Sequence, residues 1–213
     1  LPAAIRAMSQ QPDVILVSES FNSEAESALN ALRDIYPYQT PNVGQDCSGS
    51  GWDGLTGNCS NSPFVIRGGV VAISKYPILE QRAHVFNNSL KGSWDYMANK
   101  GFAYIKIDKE GNNFHLVGTH LQATHDGDTV EEHQVRLGQM REIHDFIDAR
   151  NIPADEPVII GGDMNVEWSK QNEISDMLRV SEANMNFDAS GPGSFDATTN
   201  WHTRANAYYF KYD

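Results

Sequence analysis

The sequence predicts a single α/β domain, and three observations lead to that prediction. The chain has 213 residues, of which 40% are hydrophobic, and this is enough to enclose one sizeable core. Short apolar runs typical of buried strands alternate along it with segments of helical periodicity. Several of the apolar runs end in a polar residue, as strands do at the functional edge of a sheet. We therefore expect one domain over residues 1–213.

Apolar runs place the predicted strands. They cover residues 13–18, 69–74, 102–108, 114–120 and 157–161. Residues 109–113 (KEGNN) predict a hairpin turn between the third and fourth of these strands. Segment 78–86 is expected to pair back after a turn at residues 75–77. Residues 40–67 are rich in Gly, Ser and Asn, and they predict a long loop.

Helical periodicity and end signals place three helices. Ser23 and Glu26 have the spacing of a capping box, and the helix that they begin ends before Pro37. Apolar residues spaced three or four apart predict a long helix over residues 129–150. Another helix is predicted over residues 170–180. The first of the three follows the strand at 13–18, so the chain begins with a strand–loop–helix unit.

Charge and hydropathy exclude several classes of protein. With 16 Lys and Arg against 28 Asp and Glu, the net charge of -12 argues against a protein that coats nucleic acid. A nuclease stays open, since a bound cation neutralises substrate locally. No apolar stretch approaches the 18 residues of a membrane-spanning helix. The chain opens at Leu1 without a basic segment followed by an apolar one, so we expect any signal peptide to be absent or removed.

Two cysteines, Cys47 and Cys59, flank a polar, Gly-rich segment. They are either a disulfide that closes a short loop or a pair of free thiols. A lone pair in a loop favours the disulfide and an oxidising, extracellular compartment. Zinc binding is disfavoured, because a structural zinc site takes four ligands.

Glu19 and His120 each follow a predicted buried strand. A carboxylate at such a position suits Mg²⁺, which takes oxygen ligands and often only one or two protein carboxylates. The alternative for Glu19 is a helix N-terminal charge. A histidine at a strand end can donate to a phosphate oxygen, and the alternative for His120 is a structural histidine.

Asp163 and Asn165 follow two glycines at the end of the strand at 157–161. Two residues apart on an extended turn, they can face one site. An aspartate can orient or activate water, and an asparagine amide can donate to a phosphate oxygen. The alternative is an ordinary Asp–Asn turn. Together with Glu19 and His120, this pair predicts a one-metal phosphodiesterase site.

Three segments resemble the signatures of the endonuclease/exonuclease/phosphatase superfamily, which has the DNase I-like fold: SESF at 18–21, GTHLQ at 118–122 and GGDMN at 161–165. Within it, the chain is similar to the bacterial neutral sphingomyelinases. That closer similarity rests on SGWD at 50–53, GGV at 68–70, NKGF at 99–102, THLQA at 119–123, IGGDMNV at 160–166 and FDATTN at 195–200.

The resemblance implies a four-layer α/β/β/α sandwich that hydrolyses sphingomyelin to ceramide and phosphocholine. It implies Glu19 as the principal Mg²⁺ ligand, although carboxylates also accept Mn²⁺ or Co²⁺. His120 and Asn165 would bind the scissile phosphate, and Asp163 would position or activate water. Asp53 would belong to a second metal site. Asp196 would hold the site residues in place without binding the metal or the substrate itself.

The resemblance also implies a setting. We expect a secreted monomer that acts on membrane sphingomyelin at the bilayer surface, without a transmembrane segment and without nucleic acid as a partner. The family begins with a strand carrying a metal-binding Asn and ends with an Asp-His pair and an aromatic hairpin. Nothing before Asp13 or after Asn200 matches the strand or the pair, and the hairpin is also missing. We therefore expect a domain that lacks parts of its N- and C-terminal strands.

Other functions remain open at this point. One is a DNase-like nuclease or a phosphoinositide phosphatase of the same superfamily. The acidic balance and the lack of Lys and Arg clusters weigh against both. Another is a non-catalytic binding module on the same scaffold, which the missing Asp-His pair would favour, because a fold does not fix a function.

Overall fold

The structure is a computed structural model that describes residues 1–125 and 129–184. Residues 1–183 form one compact unit, and the predicted single domain over residues 1–213 stays a prediction beyond them. Asp196 lies outside the described residues. Within the described part of the chain, no helix is long and apolar enough to cross a membrane.

The chain forms four helices and ten strands over the described residues. The helices are α1 (Pro2–Arg6), α2 (Ser23–Asn30), α3 (Val130–Asp148) and α4 (Gln171–Ser181). The strands are β1 (Val14–Val17), β2 (Tyr38–Gln39), β3 (Gly54–Gly57), β4 (Ile66–Arg67), β5 (Val71–Ser74), β6 (Ile78–Val85), β7 (Ala98–Asn99), β8 (Gly101–Lys109), β9 (Asn112–His120) and β10 (Val158–Asp163). A 3₁₀ turn over Trp94–Met97 precedes β7.

The strands make two main sheets and one small one. The first sheet has the order β1-β5-β2, and both of its pairs are antiparallel. The second has the order β10-β9-β8-β6-β3, with parallel pairs at its two edges and antiparallel pairs between them. β4 and β7 form a short parallel pair of their own.

Packing orders these elements into four layers. Leu29 of α2 and Leu32 after it pack against Ile73 on the outer face of the first sheet. Ala72 on the opposite face of that sheet packs against Ile105 of the second sheet. The far face of the second sheet packs against α3 and α4 through a cluster of Phe86, Phe102, Tyr104, Val117, Leu121, Met140, Ile143 and Val180. This order confirms the predicted α/β/β/α sandwich.

Alternation along β8 explains how one strand serves two layers. Phe102 and Tyr104 face the helices, whereas Ala103 and Ile105 face the other way. Both faces of this central strand are buried over Gly101–Ile105, and its sequence carries no charged residue there. The hairpin to β9 turns at Glu110 and Gly111, which both have positive φ (56° and 85°), as a two-residue hairpin turn requires.

The prediction that residues 78–86 pair back on the preceding strand is wrong. β6 leaves the first sheet and pairs with β8 and β3 in the second, with Ala83 opposite Ala103. The hydropathy of residues 78–86 did not indicate which sheet they would join, since both sheets contain an apolar strand that could pair with them.

The predicted long loop over residues 40–67 contains two short strands, β3 and β4. Gly54 and Gly57 at the ends of β3 leave little side chain to signal a strand. The predicted disulfide is confirmed: Cys47 and Cys59 are joined, with their Cα atoms 5.6 Å apart. The link closes the segment that leads into and out of β3.

The predicted helices over residues 129–150 and 170–180 are confirmed to within two residues at each end, whereas α2 ends at Asn30 and is followed by turns over residues 31–35 instead of continuing toward Pro37. Asn22, rather than Ser23, caps α2, because its side-chain oxygen accepts a hydrogen bond of 2.8 Å from the Ala25 N–H. Thr129 and Glu132 form a full capping box at the start of α3.

Candidate active site

Glu19 lies two residues beyond β1, on a backbone held in an unusual conformation. Its φ is 61°, and the next residue, Ser20, donates its N–H to the Gly69 carbonyl at 2.9 Å. Asn42 binds both sides of this contact, since it donates to the Ser20 carbonyl and accepts from the Gly69 N–H. A non-glycine residue at positive φ persists only where such contacts fix it, and this is common at functional sites.

The Glu19 side chain is exposed. Among the described residues, its carboxylate accepts no hydrogen bond and forms no salt bridge. The oxygens are therefore available to a ligand, which fits the predicted metal role.

His120 and Asp163 lie opposite each other at the carboxyl ends of β9 and β10. Parallel pairing brings these ends together, and His120 Nε2 lies 4.0 Å from Asp163 Oδ2. Gly162, with φ of 131°, passes so close to the Thr119 carbonyl that a Cβ would overlap it. The glycine therefore permits the pairing that places the two side chains side by side.

Asn165 follows on a turn with φ of 50°, which Asn tolerates better than most residues. Its N–H donates to Asp163 Oδ1 at 2.9 Å, and its side-chain amide donates to the Leu121 carbonyl at 2.9 Å. These two bonds fix the amide at the Leu121 carbonyl, the residue after His120, to which Lys100 also donates. One amide hydrogen and the amide oxygen remain for a ligand.

Lys100 is a residue of this site to which sequence reasoning gave no role. It is 5% exposed, and its Nζ lies 2.8 Å from Asp95 Oδ2, 3.3 Å from His120 Nε2 and 3.0 Å from the Leu121 carbonyl. The Ala123 N–H also donates to Asp95 Oδ2, at 2.6 Å. Lys100 belongs to the NKGF segment, but nothing in the sequence reports the distance between position 100 and position 120.

Asn99 fixes the backbone that carries Lys100. Its amide donates to the Gly44 and Ser60 carbonyls, each at 2.9 Å, and accepts from the Ser60 N–H at 3.0 Å. The residues on either side of the disulfide-closed segment are thus held next to the buried lysine.

Burial and neighbouring charge set the protonation of the site. Burial and, to a smaller extent, the Lys100 ammonium lower the pKa of His120 to about 4, against the opposing effect of Asp163 and Asp95. Burial also lowers the pKa of Lys100, against the carboxylates of Asp95, Asp163 and Glu19. The imidazole is therefore neutral at physiological pH. Its Nδ1 is buried and has no hydrogen-bond partner among the described residues.

The donor set fits a hard cation with few protein ligands. In the part of the chain that the structure describes, no three His, Cys, Asp or Glu side chains gather as a full protein cage would require. Mg²⁺ retains waters and binds through one or two carboxylates plus substrate phosphate. The free Glu19 carboxylate suits that mode of binding.

Asp53, the candidate for a second metal site, is held by β6. Its N–H donates to the Gln81 carbonyl and its Oδ2 accepts from the Gln81 N–H, both at 2.8 Å. One carboxylate oxygen thus extends the sheet, and its role toward a metal stays a prediction.

Comparison with known proteins gives one family. The sequence matches the Endonuclease/Exonuclease/phosphatase family over residues 2–209. It is 41% identical over 197 residues to the sphingomyelinase C of Listeria ivanovii, a match that covers 88% of this chain and 55% of that protein. The chain therefore spans about half the length of this relative.

Solved structures agree with the sequence match. The structure is similar to sphingomyelinase C from Streptomyces griseocarneus with a TM-score of 0.85 and 36% identity, over 97% of this chain and 70% of that one. It is also similar to a beta-toxin variant from Staphylococcus aureus that contains bound magnesium ions, with a TM-score of 0.83 and 38% identity. That match covers 93% of this chain and 67% of the other.

Proposed function

Since the chain belongs to the Endonuclease/Exonuclease/phosphatase family, and within it to the group that contains the bacterial sphingomyelinases, we propose that it is a Mg²⁺-dependent phosphodiesterase acting on sphingomyelin. Its products would be ceramide and phosphocholine. The observation that carries the proposal is that His120, Asp163 and Asn165 converge at one end of the second sheet. Buried Lys100 interacts electrostatically with both Asp163 and Glu19 and so connects this group to the proposed metal ligand.

Glu19 would hold the metal. When bound, the ion supplies Lewis acidity to the phosphoryl oxygen and stabilises the leaving oxygen. The exposed, unpaired carboxylate supports this assignment. Mg²⁺ is the ion that we propose, and Mn²⁺ or Co²⁺ would suit the same oxygen ligands.

His120 and Asn165 would bind the scissile phosphate. A neutral imidazole donates one N–H, and the Asn165 amide has one hydrogen left to donate. Lys100 adds a buried positive charge beside both, which favours a phosphate with developing negative charge. Asp163 is 51% exposed in its side chain and would position or activate the attacking water.

Two further assignments accompany these roles. Asp53 would contribute to a weaker second metal site. Asp196, which lies outside the described residues, would support the residues that bind the metal and the phosphate. We also propose a secreted monomer that works on membrane sphingomyelin. The disulfide supports the extracellular part of this proposal, because such bonds persist in oxidising compartments.

The first test is phosphocholine release from sphingomyelin vesicles, with Mg²⁺ and with EDTA, in parallel with phosphatidylcholine and plasmid DNA. We expect Mg²⁺-dependent release from sphingomyelin alone. Glu19→Gln should lower the rate by ~100-fold or more, since a metal supplies several kcal/mol of transition-state stabilisation. Glu24→Gln, an exposed carboxylate five residues away on α2, is the matched control and should retain full activity.

Metal binding is measured separately from turnover on the same variants. Mg²⁺ should raise the melting temperature of the wild-type chain and of Glu24→Gln, but not that of Glu19→Gln, because a ligand that binds only the native state stabilises it. Equal stabilisation of all three proteins would contradict the role of Glu19. Cleavage of DNA in place of sphingomyelin would assign the chain to the nuclease branch of the family.

A further inference from the structure

Five large apolar side chains are exposed on two paired segments that the proposed chemistry does not use. We call this group the aromatic surface, and it consists of Phe64, Ile66, Trp94, Tyr96 and Met97. Their exposed fractions are 77%, 52%, 83%, 44% and 38% in that order. Most side chains of this type are buried in a folded domain, so a group of them in solvent marks an interaction site.

Strand pairing places the two parts of the aromatic surface at the same end of one strand pair. Ile66 and Arg67 lie opposite Ala98 and Asn99 in the parallel pair of β4 and β7. Because the pair is parallel, the residues that lead into β4 and those that lead into β7 lie at the same end of it. Trp94, Tyr96 and Met97 belong to the 3₁₀ turn that leads into β7, and Ser93 caps that turn by accepting from the Tyr96 N–H. The cluster thus sits on a short, hydrogen-bonded scaffold.

The charge of these segments is the reverse of that of the whole chain. Residues 60–67 and 88–98 carry Arg67 and exposed Lys91, and their only carboxylate is Asp95. Asp95 is 9% exposed and paired with Lys100. Arg67 is itself paired with exposed Glu26 of α2 at 3.2 Å, so Lys91 supplies the exposed positive charge, and the two segments themselves present no exposed carboxylate.

The aromatic surface is continuous with the candidate active site. Asp95, within the same 3₁₀ turn as Trp94 and Tyr96, binds Lys100, and Lys100 contacts His120. A partner that touches Trp94 would therefore lie beside the mouth of the site. The chain from Trp94 to Lys100 covers both functions in seven consecutive residues.

We propose that the aromatic surface docks the protein on a bilayer of choline-headgroup lipids, which brings the site to its substrate. Trp and Tyr prefer the boundary between water and hydrocarbon, because their rings are apolar and their N–H or O–H groups stay hydrated. Aromatic faces also attract the quaternary ammonium of choline. Exposed Lys91 and the burial of Asp95 suit the phosphates of the same headgroups. The inference rests on the proposed function for its biological purpose, but the binding itself does not.

The test measures co-sedimentation with phosphatidylcholine vesicles, a lipid that we do not expect the protein to cleave. Phe64→Ser and Trp94→Ser, singly and combined, should weaken partitioning, and the double variant should do so by roughly tenfold or more. Leu79→Ser is the matched control. Leu79 is 55% exposed on β6, about 20 Å along the strand from Val85 at the active-site end, and its substitution should leave partitioning unchanged.

Turnover separates docking from chemistry. On sphingomyelin vesicles the double variant should lose activity in step with binding, whereas on a water-soluble phosphocholine ester it should match the wild type. If neither substrate is cleaved by the wild type, the proposed function fails, yet the phosphatidylcholine result still decides the docking proposal.

Three results would overturn the docking proposal. One is vesicle binding by the double variant equal to that of the wild type. Another is an equal loss of binding in Leu79→Ser. The third is a wild-type dimer in solution, measured by sedimentation without lipid, that Phe64→Ser dissociates, which would assign the aromatic surface to a second copy of the chain. Phe64→Ser lies outside the 3₁₀ turn, so its effect cannot come from a displaced Asp95.

Discussion

The environment of His120 determines what this residue can do. The side chain is 4% exposed, and the nearest charged group is an ammonium rather than a carboxylate. Burial and Lys100 together lower the pKa of His120 to about 4. In the proposed role, a neutral imidazole would donate to phosphate without carrying a charge that competes with a metal. The site would then have its positive charge on Lys100 and a hydrogen-bond donor on His120.

This lowered pKa predicts how stability depends on pH. In the unfolded chain His120 takes up a proton below its ordinary pKa of about 6.5, whereas in the folded chain it stays neutral to about pH 4. The unfolded state therefore binds more protons between these values, and stability falls as the pH falls through this window. The cost reaches about 2 kcal/mol at pH 5.

His120→Asn removes this dependence. Denaturant titrations at pH 7.5 and pH 5 should show wild type losing about 2 kcal/mol more than the variant between the two conditions. If the free energy of unfolding changed equally with pH in both proteins, the lowered pKa of His120 would not be the cause of the pH dependence. Lys100→Met provides a second check, because loss of the ammonium should raise the pKa of His120 in an NMR titration.

At the scale of elements, α3 holds the loop that follows β6. Glu142 of α3 accepts hydrogen bonds from His84 Nε2 at 2.7 Å and from the N–H groups of Asn87 and Asn88, each at 2.9 Å. The two asparagine side chains bind the same carboxylate. Burial alone would raise the pKa of Glu142, but these hydrogen bonds outweigh it and hold the pKa at about 2. One carboxylate therefore fastens a helix to the second sheet.

Glu142→Gln should lower the free energy of unfolding by roughly 2 to 3 kcal/mol at pH 7, because the folded state prefers the ionised carboxylate. A carboxyl group with a lowered pKa stabilises above its unfolded pKa, near 4.5, and this stabilisation is lost as the pH falls toward 2. The difference between variant and wild type should therefore shrink between pH 4.5 and pH 2 in denaturant titrations.

Glu131→Gln, an exposed position in the first turn of the same helix, is the control and should cost only a few tenths of a kcal/mol. A pH-independent loss in Glu142→Gln would mean that packing, rather than the carboxylate, holds the loop.

Elements also show what the sequence can and cannot predict. β1, β5, β8, β9 and β10 were predictable, because each is a compact apolar run. The predicted burial of β10 is wrong, since this strand lies at a sheet edge and leaves Val158 and Ile159 37% and 49% exposed. The partner of β6 was not, since pairing across two sheets depends on which apolar faces meet. Glu19, His120, Asp163 and Asn165 were predictable as strand-end residues. Lys100 had no predicted role, because only the folded chain brings its Nζ to His120.

At the scale of the whole molecule, the candidate site straddles the two sheets. Glu19 follows β1 of the first sheet, whereas His120 and Asp163 end strands of the second. Their separation therefore depends on how closely the sheets approach. That distance is set by Leu16 of β1, because a Cβ at Gly118 or Gly161 would lie 3.0 or 3.2 Å from its side-chain methyl groups. Two glycines next to the site residues thus let the sheets come together.

Gly118→Ala should push the sheets apart where the site is assembled. The added methyl group is tighter against Leu16 than ordinary van der Waals contact, and such overpacking typically costs about 1 to 3 kcal/mol of stability. The displacement should also weaken the Mg²⁺-dependent rise in melting temperature and lower kcat/KM at temperatures where the variant is fully folded. A movement of even about 1 Å between catalytic groups can cost on the order of 100-fold in rate.

Leu16→Val is the compensating substitution for Gly118→Ala, because it shortens the side chain that the new methyl group meets. Combined with Gly118→Ala it should restore stability, Mg²⁺ response and turnover together, and the double-mutant cycle should give a favourable coupling energy of about 1 kcal/mol or more. Recovery of stability without recovery of turnover would mean that the spacing of the sheets does not set the geometry of the site. Concerted recovery would mean that the inter-sheet core aligns the metal ligand with the phosphate-binding residues.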